Sequence, residues 1–187
     1  MTTTTPTTLP AGITTGTWAI ETSHSTATFT VRHAGISKAR GTVAITQGTI
    51  TIGADLADSR VTATLDPASI DTKDAGRDGH LKSADFFEVE TYPTWTFTST
   101  GIRADGADYV ITGDLTIHGV TRSVELETEF NGAATDPFGA ARIGFSARTE
   151  ISRKDFGLTW NAALETGGVL VSDKVKISLE IEAVAQV

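Results

Sequence analysis

The chain has 187 residues, 39% of them hydrophobic and 20% charged, enough to bury one ordinary core without a second domain. A formal net charge of −8 excludes a sequence-independent grip on nucleic acid, which needs a surplus of Lys and Arg to displace counterions. The absence of cysteine excludes disulfides, thiolate metal sites, iron–sulfur ligation and a Cys nucleophile. Thr supplies roughly a sixth of the residues, Gly numbers 18 and Pro only 5, the profile of a β protein. No stretch approaches the roughly 20 consecutive apolar residues of a transmembrane helix.

Residues 1–16 open with a run of Thr and read as a disordered polar lead-in. They lack the basic and apolar regions of a secretory signal, so the expected compartment is cytoplasmic. Residues 17–187 read as a single domain in which side chains alternate with period 2, the mark of strands with one buried and one wet face. Ala27, Phe29, Val31 and His33 share one face; Val61, Ala63 and Leu65 share another, as do Trp95 and Phe97. Residues 69–87 have no strand period, carry cap-type residues at Asp74 and Ser83, and end in Phe86 and Phe87, which predicts short helical turns over the sheet. Alternation resumes with Val124, Leu126 and Phe130, then Ile143, Phe145, Ala147 and Ile151, then Val175, Ile177, Leu179 and Ile181. Turn signals lie at Gln47-Gly48, 105–108, His118-Gly119, Asn131-Gly132 and 136–139. About eight or nine short-looped strands imply an antiparallel sheet folded as a sandwich or closed as a barrel, and alternation does not choose between them.

Chemistry-bearing patterns are sparse. His24, His33, His80 and His118 stand in four different elements without metal-ligand spacing, so no metal site is expected. Neither a Gly-x-Ser-x-Gly elbow nor a glycine-rich phosphate loop occurs. The charge clusters Arg77-Asp78 and 153–155 read either as rim ion pairs or as ligands of a polar head group. Phe29, Phe86, Phe87, Trp95, Phe97, Phe145, Phe156 and Trp160 fall on inward faces or in the capping segment. Small inward residues at Ala27, Ala63, Gly113 and Ala147 favour a cavity over a solid centre.

From about Thr17 to Val184 the motifs, taken in order, resemble the YceI-like family of bacterial polyisoprenoid-binding proteins. The carrying residues are 18–25 with Phe29-Thr-Val-Arg-His33, Ser69-Ile-Asp-Thr72, 77–87 with Tyr92-Pro93, 112–121, Gly144-Phe145, Ile151-Ser-Arg-Lys-Asp-Phe-Gly157 and 171–177. The resemblance implies an all-β fold, a single extended lipocalin-like antiparallel barrel of about eight strands. A helical segment near residues 70–87 would sit at its mouth, and an elongated apolar cavity would take an isoprenoid lipid. It implies binding, storage or transport of a polyisoprenoid, isoprenoid quinone or similar amphiphile without catalysis and without a cofactor, and it points to a homodimer. Some members carry a secretory signal and act in the periplasm, and the Thr-rich lead-in departs from them. Motif position nominates Phe29, Val31, Phe86, Phe87, Trp95, Phe97, Leu115, Ile117, Phe145, Ile151 and Phe156 for the lipid tail, and His33, Arg77, His80 and Arg153 for the head group. The alternative is an enzyme that isomerises, cyclises or hydrolyses such a lipid, which needs a polar constellation in the cavity, such as His33 within reach of a carboxylate.

Overall fold

Alternating apolar and Thr-rich faces give nine antiparallel strands in the computed structural model, which describes residues 8–187. These are β1 (Gly16–Ile20), β2 (Thr26–His33), β3 (Ser37–Ile52), β4 (Arg60–Asp71), β5 (Trp95–Asp105), β6 (Asp108–Ile117), β7 (Val120–Thr135), β8 (Ala141–Ser152) and β9 (Val171–Ala185). The order β1-β3-β2-β9-β8-β7-β6-β5-β4, with β4 pairing back to β3, closes an eight-stranded barrel with one extra strand. Barrel and not sandwich is therefore the answer that alternation leaves open. The extra strand is half of a broken one. β2 pairs with residues 37–43 of β3 and 171–180 of β9, and β1 pairs with residues 49–52 and 183–185 of the same two strands. A 3-10 turn at Thr22–His24 separates the two halves.

Two expected turns turn out to be bulges. β3 runs through Gln47-Gly48, with its register against β4 shifting between Ile45 and Gln47. β7 runs through Asn131-Gly132, shifting against β8 between Phe130 and Gly132, where Gly132 has φ 134°. A glycine in a long strand marks a bulge as readily as a turn, and bulges supply the bend that strands of 16 residues need to follow a barrel wall. His118-Gly119 is a true turn: both residues have positive φ, 56° and 70°, and Ile117 pairs with Val120 across them.

Residues 69–87 hold the helix α1 (Ala75–Lys82). The Asp74 carboxylate accepts from the Arg77 N–H at 2.8 Å, and Asp78 accepts from the Thr72 N–H at 2.9 Å and its hydroxyl at 2.6 Å. Two helical turns are too few to persist alone, and they are held by burial of the apolar residues that follow. Leu81 and Phe87 pack against Val43, Ile70, Trp95, Ile117, Phe156 and Leu158, a cluster at the α1 end of the barrel. Trp18, Ile20, Ala27, Ile45, Ile50, Ile143 and Ala183 form the cluster at the β1 end, and Phe97, Leu126 and Ala147 a smaller one between.

The expected lead-in divides. Residues 1–7 lie outside the described residues, whereas Ile13 packs against the cluster at the β1 end and Thr14 accepts the indole N–H of Trp18 at 3.1 Å. No helix among the described residues is long and apolar enough to cross a membrane.

Candidate functional site: an apolar cavity with one buried cation

Inward rows from all eight lanes enclose a cavity of about 280 Å³, just under the roughly 300–1,000 Å³ usual for ligand sites. Of the residues nominated for a lipid tail, Phe29, Val31, Phe86, Phe87, Trp95, Phe97, Leu115, Ile117, Phe145 and Ile151 line it. Phe156 does not. It is 1% exposed, packed in the cluster beneath the α1 end. Other wall residues were in plain view as an inward row, namely Val175, Ile177, Leu179 and Ile181 of β9. Leu9, Pro10 and Ile13, which line the β1 end, carried no periodic signal.

Small inward residues open this space unequally. Ala27, Ala63 and Ala147 line it, but at Gly113 a Cβ would stand 2.4 Å from Cζ of Phe97, so the ring already fills the room left by the missing side chain. Gly41 lies beneath Phe29 in the same way, at 2.5 Å.

The four head-group nominees separate. Arg153 alone lines the cavity, and among the described residues it is the only charged one in the lining. It is 7% exposed, its Nε donates to the Ser172 carbonyl at 3.0 Å, and both terminal nitrogens donate to the Trp160 carbonyl at 3.3 and 3.2 Å. No carboxylate lies within ion-pair distance among the described residues. Burial lowers its pKa, and the field of Asp173 opposes that fall. With five N–H donors and two carbonyl partners, one N–H on each terminal nitrogen is left over. Its guanidinium also lies 6.0 Å from the centre of the Phe86 ring.

His33, Arg77 and His80 are not in the wall. The β2–β9 register shifts between Val31 and His33, which ends the inward row and leaves His33 exposed. Arg77 is exposed too, and donates to the hydroxyl and carbonyl of Thr72, both at 2.7 Å, closing the turn into α1. His80 stands edge-on to Phe86 and Trp160, at 5.0 and 4.7 Å between ring centres, with Nε2 2.8 Å from Asp85. It buttresses the aromatic ring that covers Arg153.

Of the remaining polar wall groups, the Ser59 hydroxyl bonds the backbone of Gly53 and Asp55, and that of Thr128 the carbonyl of Leu126. Tyr109 lines the opposite end of β6 from Ile117, and burial raises its pKa. The indole N–H of Trp95 is buried in the wall without an acceptor among the described residues. An unpartnered donor in an apolar wall costs roughly 1–3 kcal/mol, a deficit that a ligand acceptor can remove.

The model of the YceI-like domain matches residues 18–183. The chain belongs to the YceI-like family. It is 40% identical over 164 residues to protein YceI of Escherichia coli, covering 87% of this chain and 83% of that one. The YceI protein of Campylobacter jejuni superposes with a TM-score of 0.67 at 31% identity, over 83% of this chain and 90% of that one. A polyisoprenoid binding domain from Saccharophagus degradans shares the fold, with a TM-score of 0.64 at 18% identity over 90% of this YceI-like chain and 98% of its own. Family and cavity together describe a YceI-like barrel with an apolar interior.

Proposed function

We propose that this barrel binds, stores or carries an amphiphile of the polyisoprenoid or isoprenoid quinone type, without altering it, with the apolar chain in the cavity and the acceptor-bearing head at Arg153. The observation that carries the reading is Arg153, among the described residues the single buried cation of a largely apolar wall and without a carboxylate partner there. Each buried methylene contributes roughly 0.8 kcal/mol, so a few isoprene units offset the cost of association. Such walls discriminate poorly between chains, which leaves selectivity to the donors of Arg153 and Trp95. Membership in the YceI-like family and the likeness to a polyisoprenoid binding domain support the ligand class. Among the described residues neither a His nor a carboxylate lines the cavity, and its ionisable groups, Arg153 and Tyr109, stand at opposite ends, which favours binding over catalysis.

The test is gentle organic extraction of the purified protein followed by mass spectrometry, with a heat-denatured, lipid-stripped control. A stoichiometric polyprenyl lipid or quinone, recovered chemically unchanged after incubation with the protein, is the expected result. An empty extract from protein whose melting temperature ignores added polyprenyl lipids overturns the reading.

A further inference from the structure

The chain is acidic, yet residues 22–54 hold no Asp or Glu. That stretch contains β2 and all of β3, and its charged side chains are Arg32, Lys38 and Arg40, all exposed. Strand register places them together on the outer surface. Arg32 is paired with Lys38, and the next outward pair joins Thr30 to Arg40 on one side and to Lys176 of β9 on the other. Lys174 lies two residues from Lys176 on the same outward row. None of these five cations forms an ion pair among the described residues. The face is bounded by Glu150, opposite Lys176 on β8, by Asp71 of β4, which is bonded to Lys73, by Asp173 beside Lys174, which is bonded to Ser152, and by Glu165 on the loop that carries Val169.

Two exposed apolar side chains border this cationic face. Ile36, 87% exposed, is at the tip of the β2–β3 hairpin, and Val169, 50% exposed, is on the loop before β9. The two are tied together, because the Ala34 N–H donates to the Leu170 carbonyl at 2.7 Å. The same loop supplies the Trp160 carbonyl that holds Arg153, so the patch belongs to the end of the barrel where the cavity meets its cation. The opposite end offers a contrast. Phe138 is 95% exposed there, but it shares that end with Asp55, Asp58, Asp105, Asp108 and Asp136. Glu125, Glu127 and Glu129 stand on β7, four lanes from β3 and so diametrically across the barrel. Two sides of the barrel wall thus differ in sign, with cations on β2, β3 and the start of β9 and carboxylates on β7, and such a difference biases the orientation in which an acidic protein meets a charged surface.

We infer that the face formed by Arg32, Lys38, Arg40, Lys174 and Lys176, with Ile36 and Val169 as apolar anchors, docks the barrel on an anionic lipid bilayer, with the Arg153 end of the cavity toward the headgroups. Charge complementarity selects the occupant: clustered Lys and Arg are attracted to anionic headgroups, and a few apolar side chains beside them enter the acyl boundary. Phe138 does not serve in the same way, since it has Asp136 beside it in its own turn and Asp105 and Asp108 in the hairpin at the same end, whereas Ile36 tops the hairpin that pairs Arg32 with Lys38. The inference rests on the lipid-binding reading for its purpose, but not for its test.

That test is flotation of the full chain with vesicles of phosphatidylcholine containing about 30% phosphatidylglycerol, compared with pure phosphatidylcholine. Binding to the anionic vesicles alone, weakened as salt is raised toward about 0.5 M, is expected. The triple variant Arg32→Glu, Lys38→Glu, Lys176→Glu lowers that affinity by about tenfold or more, Ile36→Asp lowers it too, and Phe138→Ser leaves it unchanged. All these positions are exposed, and an unchanged melting temperature shows that the variants fold. Failure of the wild-type chain to float with anionic vesicles, or flotation of the triple variant as efficient as wild type, overturns the inference; in the first case the face is left to an acidic macromolecule. Lipid extracted from the triple variant reports separately on the cavity, so the two readings fail independently.

Discussion

Arg153 and Phe156, three residues apart in one 3-10 turn, do different jobs, and substitution separates them. The guanidinium is buried but bonded only to main-chain carbonyls, so replacing it with the similarly sized apolar Met leaves two carbonyls with lost donors and removes a costly buried charge. Hydrogen bonds to charged groups contribute about 1.5–3 kcal/mol, so Arg153→Met weakens binding of a head-bearing isoprenoid roughly 10- to 100-fold, read by titration of a quinone or polyprenyl phosphate. Arg77→Ala, whose contacts stop at Thr72, leaves that affinity unchanged. Phe156→Ala behaves in the opposite sense. Removing a ring that is 1% exposed costs about 3–5 kcal/mol of stability, measured as a fall in denaturant midpoint. Phe29→Ala, a half-buried wall residue over Gly41, costs less stability and more affinity. Equal stability losses in the two Phe variants would show that Phe29 belongs to the core and not to the wall.

Strands were readable because their faces alternate, and the row Val175, Ile177, Leu179 and Ile181 shows how directly: one period-2 pattern gave both the strand and the inner wall of the cavity. Bulges were harder to read. Gln47-Gly48 and Asn131-Gly132 look like hairpin turns, since the same residue types suit both, and only the partner strand decides. The placing of His33 on the inward face of β2 is overturned for a related reason. Extrapolating the apolar row of β2 by one step ignored the register shift after Val31, which no local pattern announces. Motif position nominates Arg153, whereas its burial depends on carbonyls 7 and 19 residues further along the chain. Gly113, read as space, is covered by Phe97 of the neighbouring strand, and this gives a prediction at the level of the β5–β6 pair. A Cβ there meets the ring at 2.4 Å and the Thr98 carbonyl oxygen at 2.8 Å, and backbone cannot move aside as a ring can. Gly113→Ala therefore overpacks the wall by about 1–3 kcal/mol, visible as a lower melting temperature. A melting temperature equal to wild type would mean that the Phe97 ring swings freely into the cavity.

The barrel's least continuous lane is the one shared by β1 and β2, and a charge network spans its break. Arg142 of β8 donates through Nη1 to Glu21, in the break itself, and to Glu182 of β9 at 2.7 Å, and through Nε to Asp136 at 2.8 Å. Asp136 in turn accepts from the N–H groups of Phe138 and Ala140, fixing the β7–β8 turn. One cation thus joins the broken lane, two full strands and a hairpin tip. The Arg142 hydrogen bond is the main cause that lowers the pKa of both Glu21 and Asp136 from their ordinary values of 4.5 and 3.8, and Arg142 itself is pushed further toward the charged form. A carboxylate depressed in the folded state binds fewer protons there than in the unfolded chain, so its contribution is complete above the ordinary value and disappears as pH falls through the folded one. Replacing Arg142 by Gln returns both groups toward ordinary behaviour and leaves three carboxylates facing one another. Melting followed by circular dichroism should show Arg142→Gln well below wild type at neutral pH, with the gap narrowing as pH falls below about 4.5 because wild type loses what the variant never had. Asp71 and Asp173, depressed by other partners, keep some acid sensitivity in both proteins. A gap that stayed constant from neutral pH to pH 3 would assign the role of Arg142 to packing of its stem, and the seam at the break would then be held by the backbone bond from the Glu21 N–H to the Glu182 carbonyl.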